Sequence, residues 1–388
     1  MLPLPVLRRF AGKITVMLTP SPAAIGASLE AIDTPALVLD LDAFERNIAA
    51  MVQCVRPTGL ALRPHAKSHK CPEVARRQID AGAVGVCCQK VSEAEALVRG
   101  GIEDVLITNE IVGGAKIARL MQLARRAKIA VLADAAENVA ALAAAAAEAH
   151  VRLDVLVEID IGAGRCGVAP GDAALALARR IAASPSLRFA GLHAYQGAAQ
   201  HLRATDARQV AIAQAAEMVR ATRAQIESAG IACDKVTGAG TGTFPLESAS
   251  GIWNELQPGS YVFMDADYNR NAYDARWPRF EQSLFVLAAV MSRPAADRAV
   301  VDAGLKASSV DSGLPLVWRR EGVEYAKASD EHGVLRIAPG AQGPALGEKL
   351  LLVPGHCDPT VNLYDWFVCV REGRVEEVWP ITARGAVW

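Results

Sequence analysis

From Ala36 onward, short apolar runs alternate with stretches whose apolar residues recur every three or four positions. ALVLDLD (36–42) reads as a strand. AFERNIAAMVQCV follows, with Phe44, Ile48, Met51 and Val55 at helical spacing. LALRPHAK (60–67) reads as a strand that ends in polar residues. CPEVARRQIDAG (71–82) reads as a helix, with Pro72 tolerated in its first turn and Gly82 as its stop. The same alternation continues. AVGVCCQK, DVLITNE (104–110), KIAVLAD (128–134), LDVLVEID (153–160), LRFAGLHAYQG (187–197), DKVTGAG (234–240) and ELQPGSYVFMD (255–265) read as strands. Helices are expected at Ser92–Val98, Lys116–Arg126, 135–149, 171–183 and about 205–229.

Counted from LALRPHAK, eight strands alternate with helices. That order implies a parallel sheet, and the length suits a (β/α)8 barrel. No GxGxxG follows the first strand, so a dinucleotide-binding doubly wound sheet lacks support. After about Phe280 the texture changes. SLFVLAAVMS, AVVDAGL, EKLLLVPGH and WFVCVREGRVEEVWPI are β-like runs without helical stretches between them. The expected organisation is an N-terminal tail (1–31) that joins the β domain, a barrel (32–275) and an all-β domain (276–388).

Charge narrows the function. The 388 residues carry 41 Lys and Arg against 42 Asp and Glu, which gives a net charge of −1 and no basic footprint for nucleic acid. An apolar content of 52% supports a large core, and no run is long enough to suggest a spanning helix. Eight cysteines without a CxxC pair read as reduced core thiols of a cytoplasmic protein. The first 30 residues carry Arg8, Arg9 and Lys13 and no acid before Glu30. They lack the apolar region and cleavage site of a secretory signal. A transit peptide and a start at Met17 both stay open.

In a parallel barrel, function gathers where strands end. Lys67 closes the first barrel strand, flanked by Arg63, His65 and His69. Taken alone, a lysine at a strand end is usually a solvated residue. Flanking cations are expected to lower its pKa and free the amine that a Schiff base needs. TGAGTG (237–242) follows the seventh strand, a frequent phosphate position in barrels, and Thr241 and Thr243 add hydroxyl donors. A lysine and a phosphate cup together suit pyridoxal phosphate. GHCDPT (355–360) is expected to be extended, so that His356 and Asp358 share a face and Cys357 points the other way. That nitrogen and oxygen pair favours Mn²⁺ or Mg²⁺ over a thiolate zinc site. Alone, a His-x-Asp is weak evidence.

These segments, with IDTPALVLDLDAFERNI, GAVGVCCQKVSEAE, VEIDIGAGRCGV, GSYVFMDADY, DAGLKASSVDSGLP and SDEHGV, resemble the D-threonine aldolase family. These are fold-type III pyridoxal-phosphate enzymes related to alanine racemase and D-serine dehydratase. The resemblance runs from about Ile32 to Gly385. It implies an alanine racemase-like barrel with a C-terminal β domain, and a homodimer. It also implies cleavage of a D-3-hydroxy-amino acid to glycine and an aldehyde. Lys67 matches the Schiff-base lysine, and Gln89 falls in the cofactor-binding set. Arg165 matches the residue near the cofactor's phenolic oxygen, and Tyr195 the residue facing the pyridine nitrogen. Gly238, Gly240, Thr241 and Tyr261 fall in phosphate-binding segments. His201 matches a proposed base, and His356 and Asp358 match the metal ligands. The chain reads HAYQG where D-threonine aldolases often read QAYHG, with His193 and Gln196 exchanged. Related 3-hydroxyaspartate aldolases read AYQG, but with a different segment before the lysine. Dehydratases of the group usually read His-x-Cys at the metal position. The alternatives are 3-hydroxyaspartate cleavage to glycine and glyoxylate, dehydration to a 2-oxo acid, and a non-catalytic cofactor carrier.

Overall fold

A computed structural model describes residues 20–388. Residues 1–19, including Met17 and the basic cluster, lie outside the described part. The first strand is β1 (Ala36–Asp40), whose residues are nearly all buried. Asp40 then accepts a hydrogen bond from the Ala43 N–H at 3.0 Å and starts the helix Leu41–Val55. Phe44, Ile48, Met51 and Val55 form the buried stripe of that helix, as their spacing predicts.

Eight parallel strands follow: β2 (Ala61–Leu62), β3 (Val86–Cys88), β4 (Asp104–Glu110), β5 (Lys128–Ala133), β6 (Leu153–Glu158), β7 (Leu187–Ala194), β8 (Val236–Gly238) and β9 (Glu255–Leu256). They pair in the order β2-β9-β8-β7-β6-β5-β4-β3. A parallel bridge between His65 and Cys87 joins the two ends and closes the barrel. Helices lie between the strands, among them Val91–Arg99, Gly114–Ala124, Ala136–Glu148, Asp172–Ala182 and Thr205–Ser228. Gly191 allows β7 to pass close to the chain entering β8. A Cβ there would stand 2.0 Å from the Lys235 carbonyl oxygen.

The second sheet holds β10 (Leu284–Ala295), β11 (Arg298–Val301), β12 (Leu316–Val317), β13 (Val323–Ala328), β14 (Gly333–Ile337), β15 (Lys349–Val353), β16 (Trp366–Arg371) and β17 (Arg374–Pro380). It is mostly antiparallel, and it also contains β1, which lies antiparallel to β10 and parallel to β16. The strand expected within the 32–275 unit therefore pairs outside the barrel. An apolar run buried on both faces suits the centre of either sheet, so its pattern does not choose between them. Residues 26–29 run along the turn into β17, with Gly26 N–H to Val375 O at 2.8 Å and Leu29 N–H to Gly373 O at 3.0 Å. Among the described residues, no helix is long and apolar enough to cross a membrane.

Candidate active site

The strand ends surround a cavity of about 340 Å³. Every barrel strand except β5 supplies residues to its wall. Lys67, Gln89, Arg165, Tyr195, His201, Gly240, Thr241, His356 and Asp358 all line it. Gly238 and Tyr261 do not. Gly238 packs between β7 and Trp253, where a Cβ would stand 2.0 Å from the Ala194 carbonyl oxygen. The Tyr261 hydroxyl accepts a hydrogen bond from Gln78 Nε2 at 3.1 Å, and its ring lies 5.4 Å from that of Phe280. The segment following β9 turns its backbone, with Gly259 and Ser260, toward the cavity and this side chain into the core.

Lys67 rides on a short 3-10 turn, Ala66–Ser68, directly after β2. The cations expected around it are not there. His65 is buried, and burial first, then Lys67 itself, pushes its imidazole well below the usual range. Its Nδ1 accepts from the Lys67 N–H at 3.4 Å, which leaves Nε2 to face Thr108 Oγ1 at 2.9 Å. The Gln89 amide nitrogen stands 3.1 Å from both of those atoms. His69 is buried and lowered to about 3 by burial, so it is neutral as well. Arg63 turns away into a buried ion network with Asp104 at 2.6 Å and Glu255 at 3.0 Å. The Lys67 ammonium therefore behaves opposite to expectation. Burial favours the free amine, but the Asp358 carboxylate, 3.8 Å away, and Tyr195 outweigh it and raise the pKa.

At the far wall, the Thr241 hydroxyl is buried with no hydrogen-bond partner. Gly240 and Gly259 sit where a Cβ would come within 2.4 Å of the Gln200 amide and 2.7 Å of the His65 carbonyl oxygen. A cup with backbone exposed and one idle hydroxyl is built for an anion. Together with the lysine, it fits pyridoxal phosphate. Arg165 lies over the Tyr195 ring at 5.8 Å and 3.8 Å from Glu158.

His356 and Asp358 reach the cavity, but not from an extended strand. His356 is the extended residue before a short helix, Cys357–Val361. A helical turn, not strand alternation, brings the pair together. The buried Asp265 carboxylate accepts the Cys357 N–H at 2.9 Å and fixes that turn. His356 Nδ1 bonds Asp311 at 2.8 Å, which leaves Nε2 as its remaining ligand nitrogen. Asp358 accepts from Ser260 Oγ at 3.2 Å. Burial pushes the Cys357 thiol well above its usual range, and the residue does not line the cavity. An imidazole and a carboxylate, open to a cavity on one side, fit a hard divalent ion with free positions for substrate.

Some wall residues escaped the sequence reading. His193, near the end of β7, lines the wall, and its Nδ1 lies 3.6 Å from Oε1 of Glu158, which ends β6 outside the wall. Burial, and then Glu158, pushes the Glu110 carboxyl up. Glu110, Asp134 and Cys166 bring ligand atoms within 4.8 Å of one another, but none of them lines the cavity. Strand-end position flags His193 and Glu158. Asp311 lies in a loop, and although its segment DAGLKASSVDSGLP belongs to the family resemblance, nothing in that segment singles out this residue. All eight cysteines are free.

The comparisons agree with this architecture. The profile of the alanine racemase N-terminal domain family matches residues 39–267, and that of a putative serine dehydratase domain matches 283–370. A D-threonine aldolase from an Arthrobacter species is 51% identical, over 94% of this chain and 96% of its own. A 3-hydroxy-D-aspartate aldolase from Paracoccus denitrificans is 50% identical, over 94% and 95%. The crystal structure of D-threonine aldolase from Filomicrobium marinum superposes with a TM-score of 0.93 at 51% identity, covering 95% of this chain and all of the other. By sequence and by fold, the chain belongs to the D-threonine aldolase family of carbon–carbon lyases, built on an alanine racemase-like barrel.

Proposed function

We propose that the protein is a pyridoxal-phosphate- and divalent-metal-dependent aldolase that cleaves D-threonine and related D-3-hydroxy-amino acids to glycine and an aldehyde. One observation carries this reading. Lys67 and the His356–Asp358 pair face the same cavity, with Lys67 Nζ 3.8 Å from Asp358. An amine-bearing cofactor site alone suits racemisation. A hard-metal site beside it suits a substrate that carries a hydroxyl to be activated.

When bound, pyridoxal phosphate supplies the aldehyde that captures the substrate amine and the electron sink for breaking the Cα–Cβ bond. A divalent ion on His356 and Asp358 supplies Lewis acidity to the β-hydroxyl. Lys67 provides the anchoring amine. Thr241 Oγ and the backbone at Gly240 bind the phosphate, and Arg165, Gln89 and Tyr195 orient the ring. His201 takes the β-hydroxyl proton. Because the metal pair is His-x-Asp with a buried neutral Cys357 between, cleavage is favoured over dehydration. A homodimer in the cytoplasm, without nucleic acid or membrane partners, completes the reading. Balanced charge and free thiols support that setting. AYQG at Ala194–Gly197 supports 3-hydroxy-D-aspartate as the second substrate reading.

The test is product analysis with D-threonine and D-3-hydroxyaspartate in parallel, with pyridoxal phosphate and either Mn²⁺ or EDTA. Glycine and acetaldehyde from D-threonine, lost in EDTA, are expected. Glycine and glyoxylate from hydroxyaspartate alone would move the substrate assignment. Ammonia and a 2-oxo acid without glycine would overturn cleavage.

A further inference from the structure

The segment Met264–Tyr268 carries two aspartates, Asp265 and Asp267, with 0% and 5% of their surface exposed. Neither lines the cavity, yet Asp265 holds the turn between two residues that do, and Asp267 holds a third directly. Asp265 fixes the His356–Asp358 turn through the Cys357 N–H. Asp267 Oδ2 lies 2.7 Å from His201 Nδ1. Its other oxygen is held by the Arg203 guanidinium, and Arg270 stands 3.8 Å off. Arg203 also donates to the Asp267 carbonyl at 2.8 Å and to Asn271 Oδ1 at 2.7 Å. Asn271 in turn donates to the Gln200 carbonyl at 2.9 Å, one residue before His201. The backbone of the same segment pairs with the metal turn. Ala266 N–H donates to Pro354 O at 3.0 Å, and Asp267 N–H to Gly355 O at 3.2 Å.

An ionised carboxylate only accepts hydrogen bonds. Arg203 and His201 both keep Asp267 ionised, against the opposing effect of burial. The imidazole atom facing it must therefore carry the proton. We propose that Asp267 is a positioning residue: its carboxylate fixes His201 as the Nδ1–H tautomer, leaving Nε2 as the basic nitrogen for the cavity, while its backbone keeps that imidazole in register with the His356–Asp358 turn. This rests on the reading of His201 as the base that takes the β-hydroxyl proton. The proton arrives at Nε2, and the imidazolium that forms keeps its Nδ1–H on Asp267.

The decisive variant is Asp267→Asn. An amide has one acceptor oxygen, and Arg203 claims it. The NH₂ group then faces His201 Nδ1 and imposes the opposite tautomer, with Nε2 protonated. With the holoenzyme and D-threonine, kcat should fall on the order of 10²-fold, the scale of a misassigned general base, while KM moves far less. The visible cofactor band and Mn²⁺ affinity should stay as in the parent. Asp267→Glu should restore part of kcat. Imidazole ¹⁵N shifts give a readout independent of turnover, with His201→Gln assigning the signal. The parent should show Nδ1–H at His201, and Asp267→Asn should show Nε2–H. A parent protein with Nε2–H at His201 would overturn the proposal, even if the variant does not fold. So would an Asp267→Asn enzyme with parental kcat. A parent that cleaves no hydroxy-amino acid sinks the aldolase reading instead, and the tautomer measurement still decides the role of Asp267.

Discussion

The barrel and the second sheet furnish one cavity in different ways. The barrel gives single residues from many strand ends: Lys67 after β2, Gln89 after β3, Arg165 after β6, Tyr195 after β7, Gly240 and Thr241 after β8. The second sheet gives one turn, His356–Asp358, and that turn is held by Asp265 of a barrel loop. The first arrangement encloses the cavity from many sides. The second adds a reactive group from outside, and a ring of hydrogen bonds sets its position. Cofactor binding and bond cleavage should therefore be separable.

The sharpest break is a pair of variants. Lys67→Ala should remove both the visible cofactor band and turnover, the latter by more than about 10³-fold. His356→Ala should remove Mn²⁺-dependent cleavage and leave the band intact. Absorbance spectra and acetaldehyde release, read side by side, check this. Full cleavage by His356→Ala would end the division of labour. A smaller effect tests enclosure. Thr241→Val keeps the shape but removes the idle hydroxyl. Cofactor affinity should drop by about tenfold, the worth of one hydrogen bond to a charged group, with kcat at saturation little changed. Equilibrium dialysis against pyridoxal phosphate measures it.

A separate effect, on stability rather than activity, concerns pH. Glu247, four residues after Thr243, is buried and accepts from Thr243 Oγ1 at 2.7 Å, and its second oxygen has no partner. Burial pushes its carboxyl up to about 7 from the ordinary 4.5. A raised carboxyl binds its proton more tightly in the folded state. Its contribution thus favours folding at low pH and is lost as pH rises from about 4.5 through 7. Glu247→Gln should be neutral near pH 4.5 and stabilising by about 3 kcal/mol at pH 8. Urea titrations at the two pH values test it. An equal effect at both would mean that the carboxyl ionises freely.

The sequence showed the barrel well and the His356–Asp358 turn poorly. Eight strands stood out because each is a short apolar run with a polar end, followed by a helix with its own period. His356 and Asp358 were visible as residue types, but their juxtaposition comes from a helical turn that only Asp265 explains. The charge state of Lys67 was misjudged for a related reason. Flanking residues in sequence are not flanking charges in space. His65 and His69 lose their charge to burial, and Arg63 faces Glu255. Tyr261 shows the same limit, since its segment reaches the cavity while its side chain does not. The sheet that receives β1 was hidden because pairing partners leave no mark on an apolar run.

That strand has a consequence for how the protein is made. Val38 sits beside Val368, and Leu37 opposite Val286, so the second sheet is stitched from both ends of the chain. On the ribosome, the barrel strands emerge in order and can pair with near neighbours, whereas β1 must wait for β10 and β16 to be synthesised. Until then its apolar faces stay uncovered. The newborn chain thus carries an unpaired apolar strand through most of its translation, and the turn at 356–358 joins the cavity only near the end of that wait.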